Sequence, residues 1–178
     1  MTDLEQLRYP IGKAPRVAEL DAATRKQMIE SIAGTPARYR SLVAGLSDAQ
    51  LDTPYRPGGW TIRQVIHHVP DSHMNAYIRT KLAVTEDTPA IRTYMEDRWA
   101  ELPEAKSGPV DMSLALLDAL HQRWVTFLRA LPDADFARSF NHPDWGPVTI
   151  DGAIALYEWH CRHHAAHIEL GLAARVEG

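Results

Sequence analysis

The amino-acid sequence predicts an all-α protein: a four-helix bundle with an irregular N-terminal arm and long connections. Three observations predict it. Four long segments repeat apolar residues at helical spacing, the stretches between them are polar or rich in proline and glycine, and nothing alternates convincingly as a strand. The 178 residues fit one domain, 1–178. A chain of that size buries about 70% of the surface that its unfolded form exposes.

Residues 1–18 contain Pro10, Gly12 and Pro15 without a period and are expected to form the irregular arm. Asp21 is suited to cap a helix beginning near Ala22, in which Met28, Ile29 and Ile32 recur at helical spacing. Gly34-Thr35-Pro36 interrupts it, and Tyr39, Leu42, Val43 and Leu46 resume the pattern. This is either one kinked helix or two short ones. Ser47-Asp48-Ala49-Gln50 reads as a capping box opening a short turn. After a loop at 53–59, Thr61 caps a long helix that runs to about Val84, with Pro70 expected to kink it.

Residues 86–110 form a long connection marked by Pro89, Pro103 and Pro109, with a short helix around 91–102. Asp111 or Ser113 starts the next helix, whose inward seam is Leu114, Leu117, His121, Trp124, Leu128 and Leu131. Pro132 ends it. Residues 133–149 read as a loop or small hairpin. Asp151 is expected to cap the last helix, which runs to about Ala174.

The composition excludes several classes of function. Apolar residues make up 45% and charged residues 24% of the chain, and the net charge is −4. A nucleic-acid surface would need a clustered basic face, which is absent from this charge pattern. The lone Cys161 excludes an internal disulfide framework and a cysteine-rich zinc site. No apolar run approaches the ~20 residues of a membrane span. The start, Met1-Thr2-Asp3-Leu4-Glu5, lacks the basic-then-apolar order of a secretory signal, so a cytoplasmic protein is expected.

The chemistry concentrates in Trp159-His160-Cys161-Arg162-His163-His164-Ala165-Ala166-His167, where four of the nine histidines fall within eight residues. Each helical residue advances about 100°, so His164 lies about +40°, His167 about −20° and His163 about −60° from His160. All four share a stripe with Ala153, Leu156, Tyr157 and Gly171, which is the pattern of a core-facing side. A buried imidazole without a partner costs about 1–3 kcal/mol, and a metal is a partner that satisfies several at once. Both His160 with His164 and His163 with His167 have the i, i+4 spacing of a ligand pair, and spacing leaves that choice open.

A second polar stripe surrounds His68 on the helix after Trp60: Thr61, Gln64, Asp71, Ser72 and Asn75. These are mostly short groups suited to hydrogen bonding inside a site, where a solvated face would carry Lys and Glu. One imidazole from this helix and two from the last make the ligand count of an open catalytic metal site. Asp71 is suited to orient a ligand from behind, or equally to a capping or surface role. Cys161, about 100° off the stripe, reads as inert packing. His121 is expected to be buried and close to the metal pocket. There it is a hydrogen-bonding or substrate-facing group, or, on the plainer reading, a core histidine bonded to a backbone carbonyl.

The residues Gly58-Gly59-Trp60-Thr61-Ile62-Arg63-Gln64-Val65-Ile66-His67-His68, then Asp71-Ser72-His73-Met74-Asn75, then Trp159-His160 with His164 and His167, closely resemble the YfiT-like branch of the DinB superfamily. Tyr9-Pro10-Ile11-Gly12, Leu51-Asp52-Thr53-Pro54-Tyr55-Arg56 and Leu114-Ala115-Leu116-Leu117 extend the resemblance over nearly the whole chain. It implies a bundle of up-down-down-up topology carrying one divalent metal, zinc or nickel. It also implies the ligands: His68, eight residues after Trp60, rather than the adjacent His67, together with His160 and His164.

Branch members are described as metal-dependent hydrolases, so the resemblance implies a hydrolase acting on a small-molecule substrate. Other members resemble transferases that use a low-molecular-weight thiol such as bacillithiol, mycothiol or glutathione. A non-catalytic metal-binding, stress-related protein is the third reading. The reacting group would be a metal-bound water or thiol, with His121, Asn75, Ser72 and Gln64 as pocket residues. Relatives often pair, so a homodimer is expected, with the long 85–110 connection as the contact surface.

Overall fold

The computed structural model describes residues 3–174; the ends of the expected domain, 1–2 and 175–178, lie outside the described residues. In chain order the elements are α1 (Asp3–Arg8), α2 (Ala22–Val43), α3 (Asp48–Leu51), α4 (Ile62–Thr85), α5 (Glu96–Trp99), α6 (Pro103–Ser107) and α7 (Val110–Arg129). A 3-10 turn (Asp133–Ala137), β1 (Ser139–His142), β2 (Gly146–Thr149) and α8 (Ile150–Ala173) follow. The bundle consists of α2, α4, α7 and α8. Both α2 and α4 pack against α7 and α8, so α2 and α4 stand on one diagonal and α7 and α8 on the other.

Cross-helix contacts fix the directions. Ser31 and Arg38 of α2 bond Glu158 and Glu169 of α8, so these two helices run parallel. Glu30 meets Arg129 and the Ile32 carbonyl meets His121, so α2 and α7 are antiparallel. His67 with Ser113 and His73 with His121 make α4 and α7 parallel. The close approach of Gly171 to Ile62, where an added Cβ would stand 2.8 Å from Ile62 Cγ1, makes α4 and α8 antiparallel. The topology is therefore up-down-down-up. Parallel α4 and α7 require the chain to travel back along the bundle, which accounts for the long 86–109 connection.

Several local expectations are met and several are corrected. Asp21 caps α2, accepting from Thr24 N at 2.8 Å. Thr61 and Gln64 form a reciprocal capping box on α4. Gln50 accepts from the Ser47 amide at the start of α3. The arm is not wholly irregular, because α1 forms within it. Gly34-Thr35-Pro36 does not divide α2, which continues through Pro36. Packing of Ile29, Ile32, Tyr39 and Val43 along its length outweighs the lost N–H.

The short helix expected around 91–102 forms as α5, and a second, α6, follows it with Pro103 in its first turn. Neither Asp111 nor Ser113 caps α7, which starts one residue earlier behind Pro109. Residues 139–149 do contain strands: β1 and β2 pair antiparallel with Phe140 opposite Val148, and at four residues each they are too short to show an alternation. Among the described residues no helix is long and apolar enough to cross a membrane.

The cap of α8 is Thr149, which accepts from Gly152 N at 2.9 Å, and not Asp151. Asp151 is thereby free to tie the arm to the bundle. Its buried carboxylate accepts from Leu20 N at 2.9 Å and from Arg25 Nε and Nη2 at 2.7 and 3.0 Å. Removing one member of a buried pair leaves the other charge uncompensated, at a cost of about 3–5 kcal/mol. Arg25→Met is expected to lower unfolding free energy by about 3 kcal/mol on that ground. Urea titration followed by far-UV circular dichroism checks it, and an unchanged midpoint would refute the role.

The apolar core has two parts. One contains Trp124, Leu128, Ile150 and Ile154, and the other Tyr39, Val65, Val69, Leu117 and Ile168. Along α4, α7 and α8 the inward histidines fall at the changeover between the two parts. The imidazoles therefore form a polar layer across the middle of the bundle.

Candidate metal centre

The i, i+4 spacing places His160 and His164 on one face of α8, with ring centroids 4.4 Å apart. His68 reaches them from α4: its Nε2 stands 3.4 Å from His160 Nε2, and its ring centroid is 4.9 Å from that of His164. One ring nitrogen from each of the three lies within 4.8 Å of the others. Trp60, fixed just before the Thr61 cap, packs against His68 at 4.7 Å and His164 at 6.4 Å.

This donor set fits a divalent cation. Two nitrogens that each sit ~2.1 Å from one tetrahedral ion stand about 3.4 Å apart, and the His68–His160 separation is 3.4 Å. The rings are also in the protonation state that a ligand needs. Burial, and secondarily the neighbouring imidazoles, push His160 and His164 well below the ordinary histidine range. Burial pushes His68 down to about 4. Neutral imidazole is the metal-binding form, so no proton has to leave first at neutral pH.

Behind His160 stands His73, whose Nε2 is 3.0 Å from His160 Nδ1. His73 Nδ1 is 2.7 Å from His121 Nε2, and His121 Nδ1 is 2.8 Å from the Ile32 carbonyl oxygen. His121 is thus buried, at 1% exposure, and connects to the three-histidine cluster only through His73. Behind His164 stands His167, with Nδ1 to Nδ1 at 3.3 Å. His167 Nε2 is 3.2 Å from the Arg8 carbonyl oxygen, and its ring stacks on Tyr55 at 3.9 Å.

The remaining expected residues stand apart. His67 turns away to Ser113 Oγ at 2.7 Å and the Gly108 carbonyl at 3.2 Å. His163 stacks on Trp159 at 4.2 Å, and its Nδ1 has no partner among the described residues. The Gln64 amide is occupied by the cap, by the Ala100 carbonyl at 2.8 Å and by Glu101. Asn75 donates to the Asp71 carbonyl of its own helix, and the Ser72 carbonyl accepts from Tyr157. Asp71 is half-buried, and burial, with Glu104 nearby, raises its carboxyl to about 6. The buried Cys161 thiol is pushed up to about 12 by burial.

Sequence reasoning passed over His73. It lies about 140° around α4 from His68, outside the polar stripe and between Val69 and Ile66. A lone histidine in the middle of an apolar face was the available signal.

Comparison with known proteins places this geometry in context. The model of the DinB superfamily matches residues 31–168. A protein of Bacillus mycoides strain KBAB4, bearing the name "Putative metal-dependent hydrolase", is 51% identical over 165 residues, which cover 93% of this chain and 95% of that one. The solved structure of YfiT from Bacillus subtilis superposes with a TM-score of 0.92 at 47% identity, covering 97% of this chain and 98% of that one. It is described as "a probable metal-dependent hydrolase with an unusual four-helix bundle topology". A second solved four-helix bundle protein, TT2238, matches with a TM-score of 0.50 at 19% identity over 86% of this chain and 99% of that one, and shares the fold alone.

Proposed function

This chain belongs to the DinB superfamily, and from that premise we propose that it is a metal-dependent hydrolase acting on a small molecule in the cytoplasm. One divalent ion, zinc or nickel, is held by His68, His160 and His164. The observation that carries the reading is the convergence of these three neutral rings, His68 and His164 buried and His160 half-buried, with their nitrogens within 4.8 Å of one another. Three protein ligands make an open site, with coordination left for water or substrate. When bound, the ion supplies Lewis acidity, polarising a carbonyl or phosphoryl oxygen and making water nucleophilic near neutral pH. The chain supplies the rest. α4 and α8 hold the three rings together, Trp60 packs against two of them, and the two parts of the apolar core flank the layer they form.

The test is turnover of ester, amide and phosphoester panels by protein reconstituted with each metal. Hydrolysis that disappears with chelator and returns with metal supports the reading. Full metal occupancy with no turnover in any panel removes it and leaves a binding protein.

One observation favours a second reading, a metal-dependent transferase using bacillithiol, mycothiol or glutathione. The cluster is all neutral imidazole without a carboxylate, so the ion's full charge is available to attract a thiolate. A thiol-dependent change in the visible spectrum of cobalt-substituted protein, with thiol-dependent consumption of an electrophile, would decide for it.

A homodimer belongs to the same proposal. Met95, Trp99 and Leu102 stand exposed on the connection between α4 and α7, and Met112 and Leu116 on α7 are exposed as well. Light scattering is expected to give twice the 20.0 kDa chain mass at micromolar concentration. A 20.0 kDa species alone would reject it.

A further inference from the structure

We infer that two histidine relays, each anchored on a main-chain carbonyl, set the tautomers of His160 and His164 so that both turn a bare Nε2 toward the metal position. The inference rests on the metal reading above and assigns work to five residues, His73, His121 and Ile32 in one relay and His167 and Arg8 in the other, that contribute no metal ligand.

The assignment follows from hydrogen counting. A carbonyl oxygen can only accept, so the 2.8 Å contact from His121 Nδ1 to the Ile32 oxygen requires the proton on Nδ1. A neutral imidazole carries one N–H, so His121 Nε2 is an acceptor. The 2.7 Å contact then requires His73 to donate from Nδ1. His73 Nε2 is left as an acceptor and receives the Nδ1–H of His160 at 3.0 Å. His160 Nε2 is therefore bare, and it is the nitrogen that stands 3.4 Å from His68 Nε2.

The second relay is shorter and gives the same answer. The Arg8 carbonyl fixes the proton of His167 on Nε2, so His167 Nδ1 accepts from His164 Nδ1 at 3.3 Å. His164 Nε2 is bare in turn. A charged ring would break either count, and burial opposes one: His73 is 0% and His121 1% exposed, and His167 is also buried.

The two anchors lie on different elements. The Ile32 carbonyl belongs to the middle of α2, and the Arg8 carbonyl ends α1. The N-terminal arm is thus part of the metal centre's support, although it carries no polar side chain into it. His68 has a different holder, the face of Trp60. His73, His121 and His167 are positioning residues: each acts on the metal only through a ligand's tautomer and orientation.

The test uses the full chain and two readouts. Long-range 1H–15N correlation spectra of the metal-free protein at neutral pH are expected to show His160 and His164 as Nδ1–H tautomers. An Nε2–H tautomer at either would overturn that relay. Zinc affinity, measured by competition with a chromophoric chelator, is expected to fall about 10–100-fold in His73→Leu. In His73→Gln it should recover most of that loss, because an amide can both donate to His121 and accept from His160. His167→Phe and His167→Gln form the matching pair. Equal zinc affinity in wild type and a folded His73→Leu would overturn the role, as would a glutamine variant as weak as the leucine one. If His73→Leu does not fold, the wild-type tautomers decide. Should the wild-type chain bind no metal, the proposed function fails, while the metal-free tautomers still judge the relays.

Discussion

His160→Ala is expected to lower metal affinity at least ~100-fold and to remove any chelator-sensitive turnover with it. A four-ligand zinc site is worth about 10–16 kcal/mol, so one ligand accounts for about 3 kcal/mol, or ~100-fold in affinity. His160 carries more than an average share. It is the ring with the 3.4 Å nitrogen contact to His68, and it is the end of the relay through His73 and His121. Truncation removes a donor and leaves His73 Nε2 without its partner in a buried layer. The same loss is expected for His164→Ala. His163→Ala provides the contrast: its ring stacks on Trp159 and makes no hydrogen bond to the three. It should keep its metal. Elemental analysis after dialysis, beside turnover, gives the result. Full metal in both His160→Ala and His164→Ala would sink the assignment.

Much of this centre was legible because helices convert spacing into direction. The i, i+4 step from His160 to His164 and the Leu114, Leu117, His121, Trp124 seam needed only a 100° advance to be placed inward. The same arithmetic could not choose between His160 with His164 and His163 with His167, since both pairs have one spacing. Direction around α8, rather than depth, separates them. His160 faces His68 across the α4–α8 contact, whereas His163 lies toward Trp159 and Tyr9. Caps at Asp21 and Thr61 were readable because a short polar side chain before an apolar run has a local mechanism.

The failures share a cause in tertiary structure. Asp151 looked like a cap from its position, but a long-range pair with Arg25 claimed it and Thr149 took the terminus. At Pro36 the sequence left one kinked helix or two short ones open, and packing against α7 and α8 keeps it one. Gln64, a pocket residue by stripe, is consumed by its own helix cap and the Ala100 carbonyl. The Ile32 anchor does leave a mark, since Pro36, four residues on, has no N–H to fill that carbonyl, whereas the Arg8 anchor at the end of α1 leaves none.

The same crowding of neutral rings predicts that the metal-free protein unfolds cooperatively as pH falls from about 6.5 to about 4. An unfolded histidine takes up its proton near pH ~6.5. In the folded chain burial holds His68, His121 and His167 down to about 4 and His163 to about 3. Burial depresses His73, His160 and His164 as well. A depressed pKa means the unfolded chain binds more protons inside that window. The stability these rings contribute is therefore complete above pH ~6.5 and is lost as pH falls through it. Each ring contributes a slope of about 1.4 kcal/mol per pH unit there, and several act together. Asp71, raised to about 6 by burial, and Glu96, also raised, run the other way and offset only part of it. Saturating zinc competes for the same nitrogens and should move the transition to lower pH, by about 2.7 kcal/mol of stabilisation at a hundredfold excess over Kd. His163→Gln, which removes a buried titrating ring without touching the three proposed ligands, should also move it down. Circular dichroism against pH, with and without zinc, measures each shift. A metal-free urea midpoint that stays flat from pH 6.5 to 4 would show that these rings take up their protons without opening the bundle.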